Sequence, residues 1–131
     1  MKISSRIRNT SFILLGILVL VLKQNYTGPF SDLVYNYGSN FSVSFAIYFI
    51  GLLGFNSYSH PRLFAAGGAL LAVQLFELTN GFGVMENVYD PWDYLANALG
   101  IALALGIDLI INQISTGKSA DTNGNNERLE K

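Results

Sequence analysis

Residues Leu63–Phe76 read LFAAGGALLAVQLF, with no charge at any position. A helix in a water-soluble bundle needs a polar face toward solvent. This stretch offers none, so the helix it forms is read as lying in lipid. Arg62 stands immediately before it and Glu77 immediately after. Arg62 is placed to snorkel its charge to the interface and lengthen the apolar core toward what a bilayer requires.

Outward from that segment, three more apolar stretches recur. Phe12–Leu22 extends back to Ile7 through Arg8, Asn9, Thr10 and Ser11. Phe41–Phe55 is the second in chain order, and Trp92–Ile111 the last, the latter carrying Asp93, Asn97 and Asp108. A spanning helix takes roughly 20 mostly apolar residues. The last stretch meets that length unaided, and the others meet it with flanking polar residues. The chain of 131 residues is 50% hydrophobic and only 13% charged, against about 25% charged in an ordinary soluble domain. The expected architecture is all-α: an integral membrane four-helix bundle over residues 1–114, followed by a disordered polar tail over 115–131.

The basic residues set the expected orientation. Lys2, Arg6, Arg8, Arg62, Lys118, Arg128 and Lys131 fall on one side of such a bundle and Lys23 alone on the other. Both termini are therefore expected in the cytoplasm. Asp32, Glu77, Glu86, Asp90 and Asp93 sort to the outer side, with Tyr26, Tyr35, Tyr37, Trp92 and Tyr94 at its boundary. The first apolar segment follows basic residues as a signal peptide would. It lacks a small-x-small cleavage site, so it is read as a retained first helix.

Several function classes drop out. There is no cysteine and a single histidine, which removes thiolate and His-rich metal sites and cysteine nucleophiles. A net charge of −1 gives no footprint for nucleic acid. No phosphate loop, serine triad or zinc-protease motif occurs. No metal, cofactor or catalytic residue is expected.

Small residues mark where helices approach closely in lipid. Ala96, Gly100 and Ala104 form a ridge at spacings of four, which Asp108 continues. Gly68 and Ala72 share a face of the third helix. These two small faces are expected to meet.

Polar groups inside a bilayer cost about 2.5 kcal/mol or more when charged at mid-depth, so each asks for a reason. Gln74 and Glu77 share one face of the third helix, and Asp93 and Asn97 one face of the fourth. Glu77, Asp93 and Asn97, with Gln74, Asn80 and Trp92, are expected to line an outward-facing polar pocket roofed by Tyr89 and the Asn36/Asn40 region. Asp90-Pro91 also reads as a helix start, Asp90 as N-cap and Pro91 at the first helical position, and Asp93 suits the positive end of the dipole. Asn97 lies too deep to cap; it is interhelical glue or a ligand contact. Glu77 stands at the dipole's negative end, so it is protonated, paired with Lys23 or engaged with a ligand. Asp108 is expected to reach water at the inner end, and His60 to be a solvated turn residue.

Glu77-Leu-Thr-Asn80 followed by Tyr89-Asp-Pro-Trp-Asp93-Tyr-Leu-Ala-Asn97-Ala-Leu-Gly100 resembles the signature of VanZ-like membrane proteins, a bacterial family of small multi-span bundles. Glu77, Asp93, Asn97 and Gly100 match its pattern. Asn80 stands where glutamine is usual, and the arginine usual between the acids is absent. The resemblance implies a multi-pass protein of the bacterial inner membrane. Three functions stay open. One is a non-catalytic envelope protein that binds a lipid-linked ligand or a membrane protein partner through Glu77, Asp93 and Asn97. Another is a transporter or channel protomer, working as a homo-oligomer, with Glu77, Asn97 and Asp108 along a polar path. The last is a hydrolase or transferase using Glu77 and Asp93 as acid and base.

Overall fold

A computed structural model describes residues 3–79, 83 and 90–129, and the side chains of 4–79, 83 and 90–115. Asn80, Glu86 and Tyr89 lie outside the described residues. Four α-helices account for most of the rest: α1 (Ile3–Leu22), α2 (Ser31–Gly54), α3 (Pro61–Leu78) and α4 (Pro91–Leu129). A single 3-10 turn, Lys23–Asn25, follows α1.

Three of the helices are long and apolar enough to cross a membrane: Ser4–Asn25, Pro61–Leu78 and Pro91–Ser115. The exposed surface is correspondingly apolar. Leu14, Leu18 and Val21 on α1, Leu71 and Leu75 on α3, and Leu99, Leu103 and Ile110 on α4 all point outward, whereas Asn9, Ser42, Ser44, Asn97 and Asp108 are buried. Polar groups inside and aliphatic groups outside is the arrangement lipid selects.

α2 is the centre of the architecture. It packs on α1, α3 and α4, whereas α1 packs its backbone on α2 alone. Its Ser42 and Ser44 are buried against its neighbours, while Leu33, Val43 and Ile50 are exposed. It supplies Phe45, Tyr48, Phe49 and Leu52 to the core, joined there by Ala65, Ala69 and Val73 of α3 and by Ile101 and Ala104 of α4. Phe12 of α1 stacks on Phe49 with centroids 4.7 Å apart.

The close helix approaches all run to α2, which corrects the packing expected from sequence. A β-carbon on Gly100 would meet the Phe41 carbonyl oxygen and the Phe45 nitrogen of α2, and one on Gly51 would lie 3.0 Å from the Ala65 α-carbon. A β-carbon on Gly16 of α1 would likewise lie 3.0 Å from the Ala46 β-carbon and the Ser42 carbonyl oxygen. The small ridge of α4 therefore meets the central helix at Gly100, and α3 meets it through Ala65 and Ala69, whereas Ala72 is exposed. Gly68 faces the Phe55 ring. The physical reason is that α2 carries the large aromatics, and its neighbours must be small where its backbone comes close.

α2 begins ten residues before the apolar run Phe41–Phe55, because Asp32-Leu-Val-Tyr is the early start of the same helix. α4 continues as helix to Leu129, through the segment read from sequence as a disordered tail. No proline follows Pro91, so nothing in the backbone forces a break.

Candidate functional site

Two polar clusters occupy opposite ends of the bundle. The end holding the starts of α2 and α4 is acidic, and the end holding the starts of α1 and α3 is basic.

At the acidic end, α2 and α4 run parallel and exchange hydrogen bonds in a constant register. The Tyr37 hydroxyl donates to Asp90 Oδ2 at 2.8 Å, Asn40 Nδ2 donates to Asp93 Oδ1 at 2.6 Å, and the Ser44 hydroxyl donates to Asn97 Oδ1 at 2.5 Å. Each pair is separated by 53 residues. The helical repeat explains why: 37, 40 and 44 line one stripe of α2, and 90, 93 and 97 line one stripe of α4. The ladder ends deeper at Gly100, where side chains give way to direct backbone contact.

Asp90 also accepts the Trp92 backbone N–H at 2.9 Å through Oδ1. It thus serves the first turn of α4 while holding Tyr37. Pro91 opens the helix. Gln74 of α3 reaches α4 through Nε2, which donates to the Tyr94 carbonyl at 3.4 Å. Glu77, one turn farther along α3, is partly buried. Lys23 is not its partner. The ammonium donates to the Tyr35 carbonyl at 2.7 Å and lies 5.4 Å from the Tyr35 ring centroid. Asn97 is 1% exposed. Among the described residues, Ser42 Oγ, Gln74 Oε1 and Asn97 Nδ2 are buried without a hydrogen-bond partner. Such orphaned groups are costly where water is excluded.

Beside this ladder an apolar groove of about 580 Å³ runs between α1 and α4, with α2 as its floor. Val19, Leu33, Val34, Phe41, Leu95, Ala96 and Leu99 form its walls, and Tyr37 and Trp92 line it as well. It exists because α1 and α4 both pack on α2 without closing on one another.

At the basic end, sequence reasoning missed a cluster. Asp108 does not reach water: its side chain is 1% exposed. Arg8 Nη2 of α1 donates to Asp108 Oδ1 at 2.6 Å, and Arg62 Nε of α3 donates to Oδ2 at 2.5 Å. Arg8 also donates from Nε and Nη2 to Asn9 Oδ1. The ridge Ala96-Gly100-Ala104 buries its face against α2, and Asp108, next on that ridge, is buried with it. The signal available in the sequence was this continuation, together with two arginines at the same end of neighbouring helices. His60, before α3, is exposed. Among the described residues, no group of three or more His, Cys, Asp or Glu side chains is placed to hold a metal ion.

Compared with known proteins, the chain matches no family model, no curated protein and no solved structure.

Proposed function

We propose that this chain is a non-catalytic integral membrane protein of the bacterial cell envelope that binds an amphiphilic, lipid-linked ligand at its acidic end. The observation that carries the reading is the adjacency of the apolar groove and the α2–α4 polar ladder. Tyr37 belongs to both, lining the groove and donating to Asp90. A hydrocarbon chain fits the groove against Val19, Phe41, Leu95 and Leu99. A head group bearing hydroxyl or amine donors meets Asp90 and Asp93, whose carboxyl oxygens accept hydrogen bonds. Trp92, 62% exposed, suits the level where chain and head join. Glu77, Gln74 and Asn97 supply polar groups from the adjoining faces of α3 and α4. The VanZ-like resemblance of Glu77, Asp93, Asn97 and Gly100 supports the same end as the functional one, and the distribution of Lys and Arg supports its facing outward.

Native mass spectrometry of the full chain in mild detergent tests this. The wild type is expected to retain a lipid adduct. Leu99→Trp, which fills the groove from an exposed position, is expected to lose it with the fold intact by circular dichroism. Asp93→Asn is expected to weaken retention of the adduct. Equal adducts in all three proteins rule the reading out.

A further inference from the structure

The basic end carries chemistry that a ligand at the acidic end does not use. Asp108 is one carboxylate serving two guanidiniums, so among the described side chains the cluster carries one more positive charge than negative. The arginines are only partly withdrawn from water, with Arg8 25% and Arg62 36% exposed. Asp32, Glu77, Asp90 and Asp93, the other carboxylates whose side chains are described, stand at the opposite ends of their helices.

Donor capacity is also in surplus. A guanidinium has five N–H donors. Arg62 spends Nε on Asp108, and its two terminal nitrogens have no partner among the described residues. The cluster opens into a polar cavity of about 220 Å³ whose wall includes Ser5, Asn9, Asn56 and Asn112. α3 starts there with Pro61, and its N-cap residue His60 makes no side-chain capping bond. The positive end of the α3 dipole therefore adds to the arginine field. If Asp108 needed only charge balance, one arginine would suffice. The second arginine lines the polar cavity and leaves donors that a further partner can take up.

We propose that the Arg8–Asp108–Arg62 cluster binds a phosphate-class oxyanion, with Arg62 as the principal ligand and Asp108 holding both guanidiniums in position. Two oxygens of a phosphate match the planar fork of a guanidinium. The site lies where two candidate spans, Ser4–Asn25 and Pro61–Leu78, begin. That is the depth of phospholipid phosphates, and a soluble phosphate ester shares the same chemistry. This proposal is independent of the acidic-end reading.

The test measures thermal unfolding of the full chain in a neutral detergent at fixed ionic strength. The probes are inorganic phosphate and phosphatidylglycerol, with chloride and diacylglycerol as their controls. A saturable rise in Tm with phosphate or phosphatidylglycerol, absent from the controls, is expected. Saturation by inorganic phosphate identifies a soluble anion site, and saturation by the lipid alone identifies a head-group site. Arg62→Gln is expected to weaken the apparent affinity about tenfold or more, the loss of a charge-assisted contact. No saturable shift with either probe overturns the proposal, as does a shift unchanged in Arg62→Gln. Should that variant not fold, Ser5→Asp, which sets a carboxylate at the cavity wall, carries the same test: it must weaken the probe's binding, and unchanged affinity overturns the proposal.

Discussion

Gly100 of α4 lies so close to the Phe41 carbonyl of α2 that a β-carbon built on it would overlap that oxygen and stand 3.2 Å from the Phe45 nitrogen. Neither atom is the end of a flexible side chain. Gly100→Ala must therefore push two helix backbones apart, and it is expected to destabilise by about 1–3 kcal/mol. Gly106, on the same helix, has open space at its β-position. Gly106→Ala is expected to be neutral or to stabilise by up to about 1 kcal/mol through helix propensity. Reversible unfolding in mixed micelles separates the two.

The Ser44–Asn97 bond is buried at both ends, at 2.5 Å. Interhelical hydrogen bonds in membranes average about 0.6 kcal/mol and reach about 1.7. The shortness and burial of this one place it toward the upper figure. A double-mutant cycle with Ser44→Ala and Asn97→Ala is expected to give a coupling of about 1 kcal/mol. The same cycle on Tyr37 and Asp90, nearer the head of the ladder, is expected to give less, because water competes there.

Removing Asp108 leaves two arginines beside each other without their shared counter-charge. Breaking a buried pair in this way costs about 3–5 kcal/mol, so Asp108→Ala is expected to be the most damaging single substitution among the charged residues. Arg62→Gln leaves Arg8 in place and alters a partly exposed group, so it is expected to cost about 1 kcal/mol. Chemical denaturation in detergent, compared across the variants, checks the ranking.

Trp92 is the sole tryptophan of the chain and is largely exposed beside the groove. In bilayers its fluorescence is expected to be quenched more by lipids brominated near the glycerol than by lipids brominated at the chain end. Leu99→Trp in a Trp92→Phe background, deeper along α4, is expected to reverse that order.

How much of this was legible from the residues depended on range. The helices themselves were, since each rests on local hydrophobicity: α3 runs Pro61–Leu78 against an uncharged run of Leu63–Phe76. The start of α2 was less so, because Ser31–Asn40 is polar and its helicity is sustained by packing and by bonds to α4. Helix pairing was legible in part: α3 and α4 do pack on one another. The ridge Ala96-Gly100-Ala104 announced a close contact but not its partner, which at Gly100 is α2. Asp93 and Asn97 could be placed on one stripe by spacing, yet Asn40 and Ser44, their partners, lie 53 residues away. Asp108 looked terminal and solvated when counted along α4. Its burial comes from the packing of its ridge against α2, and Arg8 and Arg62, which only the folded chain brings to it, bind it there.

The constant register between α2 and α4 has a consequence for biogenesis. Asn40 and Ser44 leave the ribosome before the helix that satisfies them has been made. A nascent chain arrested before Pro91 is therefore expected to hold Asn40 and Ser44 without the acceptors that Asp93 and Asn97 supply in the finished fold.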